Sequence, residues 1–374
     1  MTMMQEIVWS ELSGGEALHY LRRPSAQQAE EIAERTREIV DEVRDRGDRA
    51  VFDYTQRLDN VTLETLQLDK TLPYNAVNEI SGAAKAAIDT AYTNIARFHE
   101  QQGYHDYEIT TAESVTCRRV VRPVERVGLY IPGGTAPLIS TTLMLGIPAQ
   151  LAACPHRVLC TPCDEQGRDP HIRYAAHLCG IDAIFRIGGA QAIAAMGHST
   201  ETVPACDKLF GPGNAYVAAA KVMLASEPGG PAMDLPAGPS EVCVIADENT
   251  YAEYAAADLL SQAEHDTLSQ VMLITISREK SRAIRAAVEQ QLGDLPRREI
   301  AAEAIDNSVS IIADDMAQAF EIANAYAPEH LILCFDSAEN WLGHIRHVGS
   351  VFLGLCTPEA AGDYCSGTNH ALPT

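Results

Sequence analysis

Basic residues are scarce in this sequence: 28 Lys and Arg stand against 51 Asp and Glu in 374 residues, a formal charge of −23. Such a chain repels a phosphate backbone, and no local basic patch reverses the excess, so nucleic-acid binding is excluded. No run of about 18 uninterrupted apolar residues occurs, and the start, MTMMQEIVWSELSGG, lacks a basic segment followed by an apolar stretch. A membrane span and an export signal therefore drop out, and a cytoplasmic protein is expected. Long biased tracts are also missing. With 46% hydrophobic and 21% charged residues, the chain belongs with globular proteins, and its length suits two or three compact units.

Motif absences narrow the chemistry further. The CxxC of Cys160 and Cys163 has no second pair, and many of the ten cysteines sit in apolar runs such as Val158-Leu159-Cys160, where cysteine packs as a small hydrophobe. Neither disulfides nor a CxxC metal or redox centre is expected. GxGxxG is absent, and so is HExxH, which leaves a zinc hydrolase as the weakest of the readings.

What is present is a regular punctuation. Ser25 to Gln28 reads as a capping box opening a helix through about Arg46, and a second helical pattern runs from about Tyr74 to Gln102. From Val127 short apolar runs alternate with helical stretches: VGLYIP, a helix near Ser140 to Ala153, RVLCTP, Pro170 to Cys179, AIFRIG, a short helix after Gly189, KLFGPG, and Asn214 to Ser226. A Gly/Pro-rich segment, EPGGPAMDLPAGPSE, interrupts the series. It resumes with EVCVIAD, Thr250 to His265, VMLITIS, Arg278 to Leu292, SVSIIAD, Met316 to Tyr326, HLILCF and GSVFLG. Alternating strands and helices joined by right-handed crossovers predict an α/β fold: two Rossmann-like units with largely parallel sheets, plus a helical N-terminal segment.

Three glycine-rich turns end strands in the first series: Ile131-Pro132-Gly133-Gly134, Gly188-Gly189-Ala190-Gln191 and Gly211-Pro212-Gly213-Asn214. Glycine there lets backbone amides approach a phosphate or ribose, although a turn without a ligand has the same composition. Gln262 and His265 lie three apart on a predicted helix and so share a face, where they could join a metal site with outside partners. Asp363 and His370, in the polar terminal loop GDYCSGTNHALPT, are candidates for that role. Glu329-His330 enters the strand HLILCF directly and pairs a carboxylate with an imidazole, the equipment of acid/base catalysis, though solvated polar residues also precede strands. His344 and His347 fit that plainer description.

Taken together, VRPVERVGLYIPGGTAPL, IGGAQAIAAM, DKLFGPGNAYV, DLPAGPSEV, DLLSQAEHD, YAPEHL and SGTNHALPT resemble the histidinol dehydrogenase family in order and spacing, from about residue 20 to Thr374. The resemblance implies NAD contacts at Tyr130, Gln191 and Asn214, and zinc ligands at Gln262, His265 and Asp363. It implies substrate contacts at Ser240, Gln262, His265, His330, Asp363 and His370. It also implies oxidation of L-histidinol through histidinaldehyde to L-histidine, with His330 taking the alcohol proton, Glu329 helping water attack the aldehyde, and zinc chiefly aligning the substrate. The expected division is an arm at 1–24, a zinc and catalytic domain of 25–127 with 241–374, and an NAD-binding domain at 128–240. Cys365 and Ala371 are scattered departures from the family pattern. Relatives continue past LPT into a helical tail that helps build a homodimer and carries a further zinc ligand, and that tail is expected to be absent here. Two alternatives stand beside this reading: a related dehydrogenase of another small alcohol, and a truncated noncatalytic ligand-binding protein.

Overall fold

Near-continuous apolar runs make strands covered on both faces. In the computed structural model, which describes residues 4–23, 29–133, 138–162, 169–181, 183–235 and 240–370, these runs form two parallel sheets. The described residues fall into two compact units, one holding 4–23 and 240–362, the other those within 29–235 and 363–370.

In the first of these units, six strands lie in the order Gln5–Val8, Val309–Ile312, Gln270–Thr275, Glu241–Ala246, His330–Cys334, Ser350–Leu353, every pair parallel. Alternation decides which face each side chain serves. Val242 and Val244 pack with Ile284 and Leu259 on one side, while Cys243 and Ile245 pack with Phe320 and Tyr326 on the other. Helices on both faces leave this sheet no solvated side, which is why its central strands read as EVCVIA and QVMLIT with no polar alternation.

The other unit is built on five parallel strands in the order Ala183–Phe185, His156–Cys160, Arg126–Tyr130, Lys208–Phe210, Ala232–Met233. By chain order this is third, second, first, fourth, fifth, so the winding reverses between Arg126–Tyr130 and Lys208–Phe210. Ligands bind beyond the carboxyl ends of parallel strands at such a reversal. The fold is thus mixed α/β with largely parallel sheets, as the sequence predicts.

Several local expectations change. The helix Ala29–Arg46, expected with the other domain, buries Ile39, Val40 and Val43 against Ile193, Met196 and Leu224, and residues 29–127 fall in the unit of the five-stranded sheet. The single helix expected over 74–102 is broken: Ser81 caps a new start, its Oγ accepting from Ala84 N at 3.1 Å, and the helix proper is Gly82–His99. A hairpin, Tyr107–Ala112 with Val115–Arg119, went unseen because both strands are exposed on both faces and their brief alternation, Tyr107, Ile109, Val115 and Cys117, covers no core. Ser25 and Gln28 of the capping box, Gly134, Cys163 and residues 371–374 lie outside the described residues. The described cysteines are free thiols, and no described helix is long and apolar enough to cross a membrane.

Candidate active site

At the reversal of the five-stranded sheet, Tyr130, Gln191 and Asn214 line one cavity of about 940 Å³ with Arg35, Arg57 and Asp59. Each of the three polar residues is prepared in a different way. The Tyr130 hydroxyl accepts the Gly189 N–H at 2.9 Å, at the start of the helix Gly189–His198. Burial pushes its phenol up to about 12, so it keeps its proton and can donate. Asn214 caps the helix Ala215–Ala225, its Oδ1 accepting from Tyr216 N and Val217 N at 3.1 Å each. That use leaves the cap's Nδ2 hydrogens to face a ligand.

Gln191 is 1% exposed, yet neither its Oε1 nor its Nε2 has a partner among the described residues. A buried amide left unsatisfied costs about 1–3 kcal/mol, which a ligand with both donor and acceptor groups would return. Gly189, at φ +63°, keeps the space: a Cβ there would stand 2.6 Å from Gln191 Oε1. Gln191→Leu is therefore expected to leave unfolding stability unchanged or slightly raised while weakening binding of NAD, the cofactor that the sequence resemblance implies for this cavity, about 10-fold. Paired denaturant unfolding and NAD titration measure this, and loss of stability with unchanged NAD affinity would reject it.

The matching reversal in the six-stranded sheet is closed by its own chain. Thr250 Oγ1 donates to Cys334 O, and Asp247 Oδ1 accepts from Asn249 N at 2.8 Å and Thr250 N at 3.1 Å. Chemistry-bearing residues gather instead at the amino ends of that sheet. His330, 2% exposed, opens its strand in register with Val242. Its Nδ1 lies 3.0 Å from Glu241 O, 3.3 Å from Glu359 Oε1 and 3.8 Å from Glu329 Oε2. A carbonyl oxygen only accepts, so Nδ1 carries the proton and Nε2 of the neutral ring is the basic atom. Glu241 N–H in turn donates to Glu329 Oε2 at 3.4 Å. One residue's backbone thus grips both members of the Glu329-His330 pair.

Ser240 precedes Glu241 at the same amino ends, and Gln262, buried, closes the helix Ala252–Ala263 that returns there. The helix ends at Ala263, two residues short of the expected His265, so His265 lies in the following turn, exposed, with its N–H donating to Gln262 O at 3.2 Å. Asp363 is a correction, since it belongs to the short helix Glu359–Tyr364 and not to a loop. His370 is held from both ring nitrogens, Nδ1 by Asp363 O at 3.0 Å and Nε2 by Thr141 Oγ1 at 2.9 Å.

Sequence reasoning missed Glu359. It is 1% exposed, and its backbone N–H donates to Asp258, whose carboxyl burial pushes up to about 6. Its one signal was the Pro358-Glu359 helix start, which is common at the surface.

The sequence profile described as histidinol dehydrogenase matches residues 21–374. The chain belongs to the histidinol dehydrogenase family. Curated members from Pasteurella multocida and Xylella fastidiosa (strain Temecula1) are 46% and 47% identical, each over 99% of this chain and 86% of their own. The crystal structure of histidinol dehydrogenase from Elizabethkingia anophelis superposes with a TM-score of 0.92 at 44% identity, covering 99% of this chain and 85% of that one. A likeness of fold alone extends to apo betaine aldehyde dehydrogenase from Staphylococcus aureus, with a TM-score of 0.50 at 10% identity over 92% of this chain and 79% of that one. Family membership makes the protein an oxidoreductase of histidine biosynthesis acting on a small molecule.

Proposed function

We propose that this protein oxidises L-histidinol through L-histidinaldehyde to L-histidine with NAD. The observation that carries the reading is His330, whose Nδ1 is committed to Glu241 O, so that Nε2 is the acceptor for an alcohol proton. Converting a primary alcohol to a carboxylate removes four electrons and consumes one water, hence two NAD in turn. When bound, NAD supplies the oxidising power, and Tyr130, Gln191 and Asn214 would hold it, the unsatisfied Gln191 amide and the Tyr130 donor fitting its polar groups. Arg35 and Arg57 on the same cavity suit a pyrophosphate.

His330 takes the alcohol proton in the first oxidation, and the Glu359 carboxylate beside its Nδ1 stabilises the positive ring that results. Glu329, held by the Glu241 N–H, orients and deprotonates the water that adds to the aldehyde. Ser240, Gln262, His265, His330, Asp363 and His370 are the substrate contacts in this proposal. Gln262, His265 and Asp363 would hold zinc, and an amide oxygen, an imidazole and a carboxylate are donors that this ion accepts. Zinc there would align the amino and imidazole nitrogens of the substrate. The same reading makes the enzyme a cytoplasmic homodimer, on the strength of its family.

NADH formation from histidinol, NAD and zinc tests the proposal, and a protein that never reduces NAD with histidinol defeats it. Glu329→Gln is expected to slow oxidation of supplied histidinaldehyde by about 100-fold or more while changing the alcohol step far less. Equal slowing of both steps in single-turnover measurements rejects this division of labour.

A further inference from the structure

Ahead of Glu329-His330 the chain makes an unusual bend. The helix Met316–Tyr326 ends with Ala327 in the left-handed region, φ +55° and ψ +62°, its N–H donating to Ala323 O at 2.8 Å. An L-residue resists that conformation, so something must hold the bend before Pro328 redirects the chain into the strand. Arg23 is placed to do so. Its Nη2 lies 3.0 Å from Ala327 O and 3.2 Å from Tyr326 O, neighbouring carbonyls that share one of its two hydrogens, while Nε and the other Nη2 hydrogen form a fork on the Glu241 carboxylate, the latter at 3.0 Å. Its guanidinium also covers the Tyr326 ring, 5.2 Å from the centroid, and the Tyr326 hydroxyl is fixed on Gln270 Oε1 at 2.9 Å.

Both ends of this clamp lead to the reacting pair. Glu241, 2% exposed, supplies the carbonyl that fixes His330 Nδ1 and the N–H that fixes Glu329. Tyr326 and Ala327 are the residues that set where Pro328, Glu329 and His330 begin. A lysine could neutralise Glu241 but could not span a carboxylate and two carbonyls at fixed angles, because only the planar guanidinium presents its donors as a rigid fork.

We propose that Arg23 is a positioning residue for the Glu329-His330 pair, holding it from both sides through the Glu241 carboxylate and the Tyr326 and Ala327 carbonyls. The proposal rests on the dehydrogenase reading for its effect on turnover and on the hydrogen bonds alone for its effect on His330.

Three variants of the full chain test it: Arg23→Lys, Arg23→Met, and Arg23→Met combined with Glu241→Met, which removes the buried charge left unpaired in the second. Arg23→Lys should lose kcat for histidinol on the order of 100-fold, the scale of a misplacement of about 1 Å, with KM for NAD unchanged. In 15N-histidine spectra the His330 ring signals, assigned with His330→Gln, should move while those of histidines remote from the clamp stay in place. The double variant should regain the unfolding midpoint lost in Arg23→Met without regaining kcat. Parental kcat and unmoved His330 signals in Arg23→Lys overturn the proposal. So does a double variant that recovers kcat together with stability, since Arg23 would then serve only as a counter-ion. If the parent forms no NADH from histidinol, the functional reading fails, and the His330 signals alone decide the role of Arg23.

Discussion

His330→Asn should lower kcat for histidinol by about 100- to 10,000-fold, the range spanned by a single general base. Asparagine is the informative replacement because its Nδ2 hydrogens can still reach toward Glu241 O, the partner of the imidazole Nδ1. The fold around the strand His330–Cys334 should survive, since its register with Glu241–Ala246 is made by backbone. What asparagine lacks is an atom in the place of Nε2 that can take up a proton. NAD affinity should be unchanged, because in the proposed reading Tyr130, Gln191 and Asn214, and not His330, hold the cofactor. Stopped-flow NADH formation with histidinol, beside NAD titration and an unfolding curve, separates these quantities. A variant that keeps more than a tenth of parental kcat removes His330 as the base.

The proposed base was legible in the sequence only as an adjacency. Glu329-His330 before HLILCF announces a carboxylate and an imidazole at the start of a strand, and parallel strands buried on both faces are easily read as apolar runs. The same burial made the helices Arg278–Leu292 and Met316–Tyr326 legible to the residue. What tunes the pair was hidden, because its partners are remote in the chain: Glu241 is 89 positions from His330, and Arg23 is 218 from Glu241. No local pattern encodes such contacts. Elements with little to bury were lost for the complementary reason, as in the exposed hairpin of Tyr107–Ala112 and Val115–Arg119 and the edge strand Gln5–Val8. The turn Gly211-Pro212-Gly213-Asn214 was flagged from glycine alone, yet a stronger signal lay ten residues on. Lys221 is the one charge in the helix AYVAAAKVMLA, and a charge in so apolar a helix needs a partner.

That partner gives the second large effect: Lys221→Met should cost about 3–5 kcal/mol of stability, the loss expected when one member of a buried ion pair is removed. Lys221 is 1% exposed and pairs with Asp234, and its Nζ also donates to Gly211 O at 2.9 Å. Asp234 Oδ2 accepts the Gly211 N–H at 2.7 Å, and Oδ1 accepts from Leu235 N at the same distance. The pair thus grips Gly211 through both its N–H and its carbonyl. That residue sits at φ +127°, where a Cβ would meet Tyr130 O at 2.1 Å. Only glycine lets the Lys208–Phe210 strand leave so close to the end of Arg126–Tyr130, and the ion pair fixes the direction in which Asn214 then enters the cavity. Methionine fills the volume of lysine but leaves Asp234 charged and Gly211 O without its donor. Lys221→Met should therefore lower the urea midpoint and weaken NAD binding together. Adding Asp234→Leu should restore much of the midpoint, as removal of both buried charges often does, but not the NAD affinity, because neither replacement can hold the glycine. A double variant that recovers both would show that the pair contributes to stability alone and that the turn Gly211–Asn214 holds its shape without it.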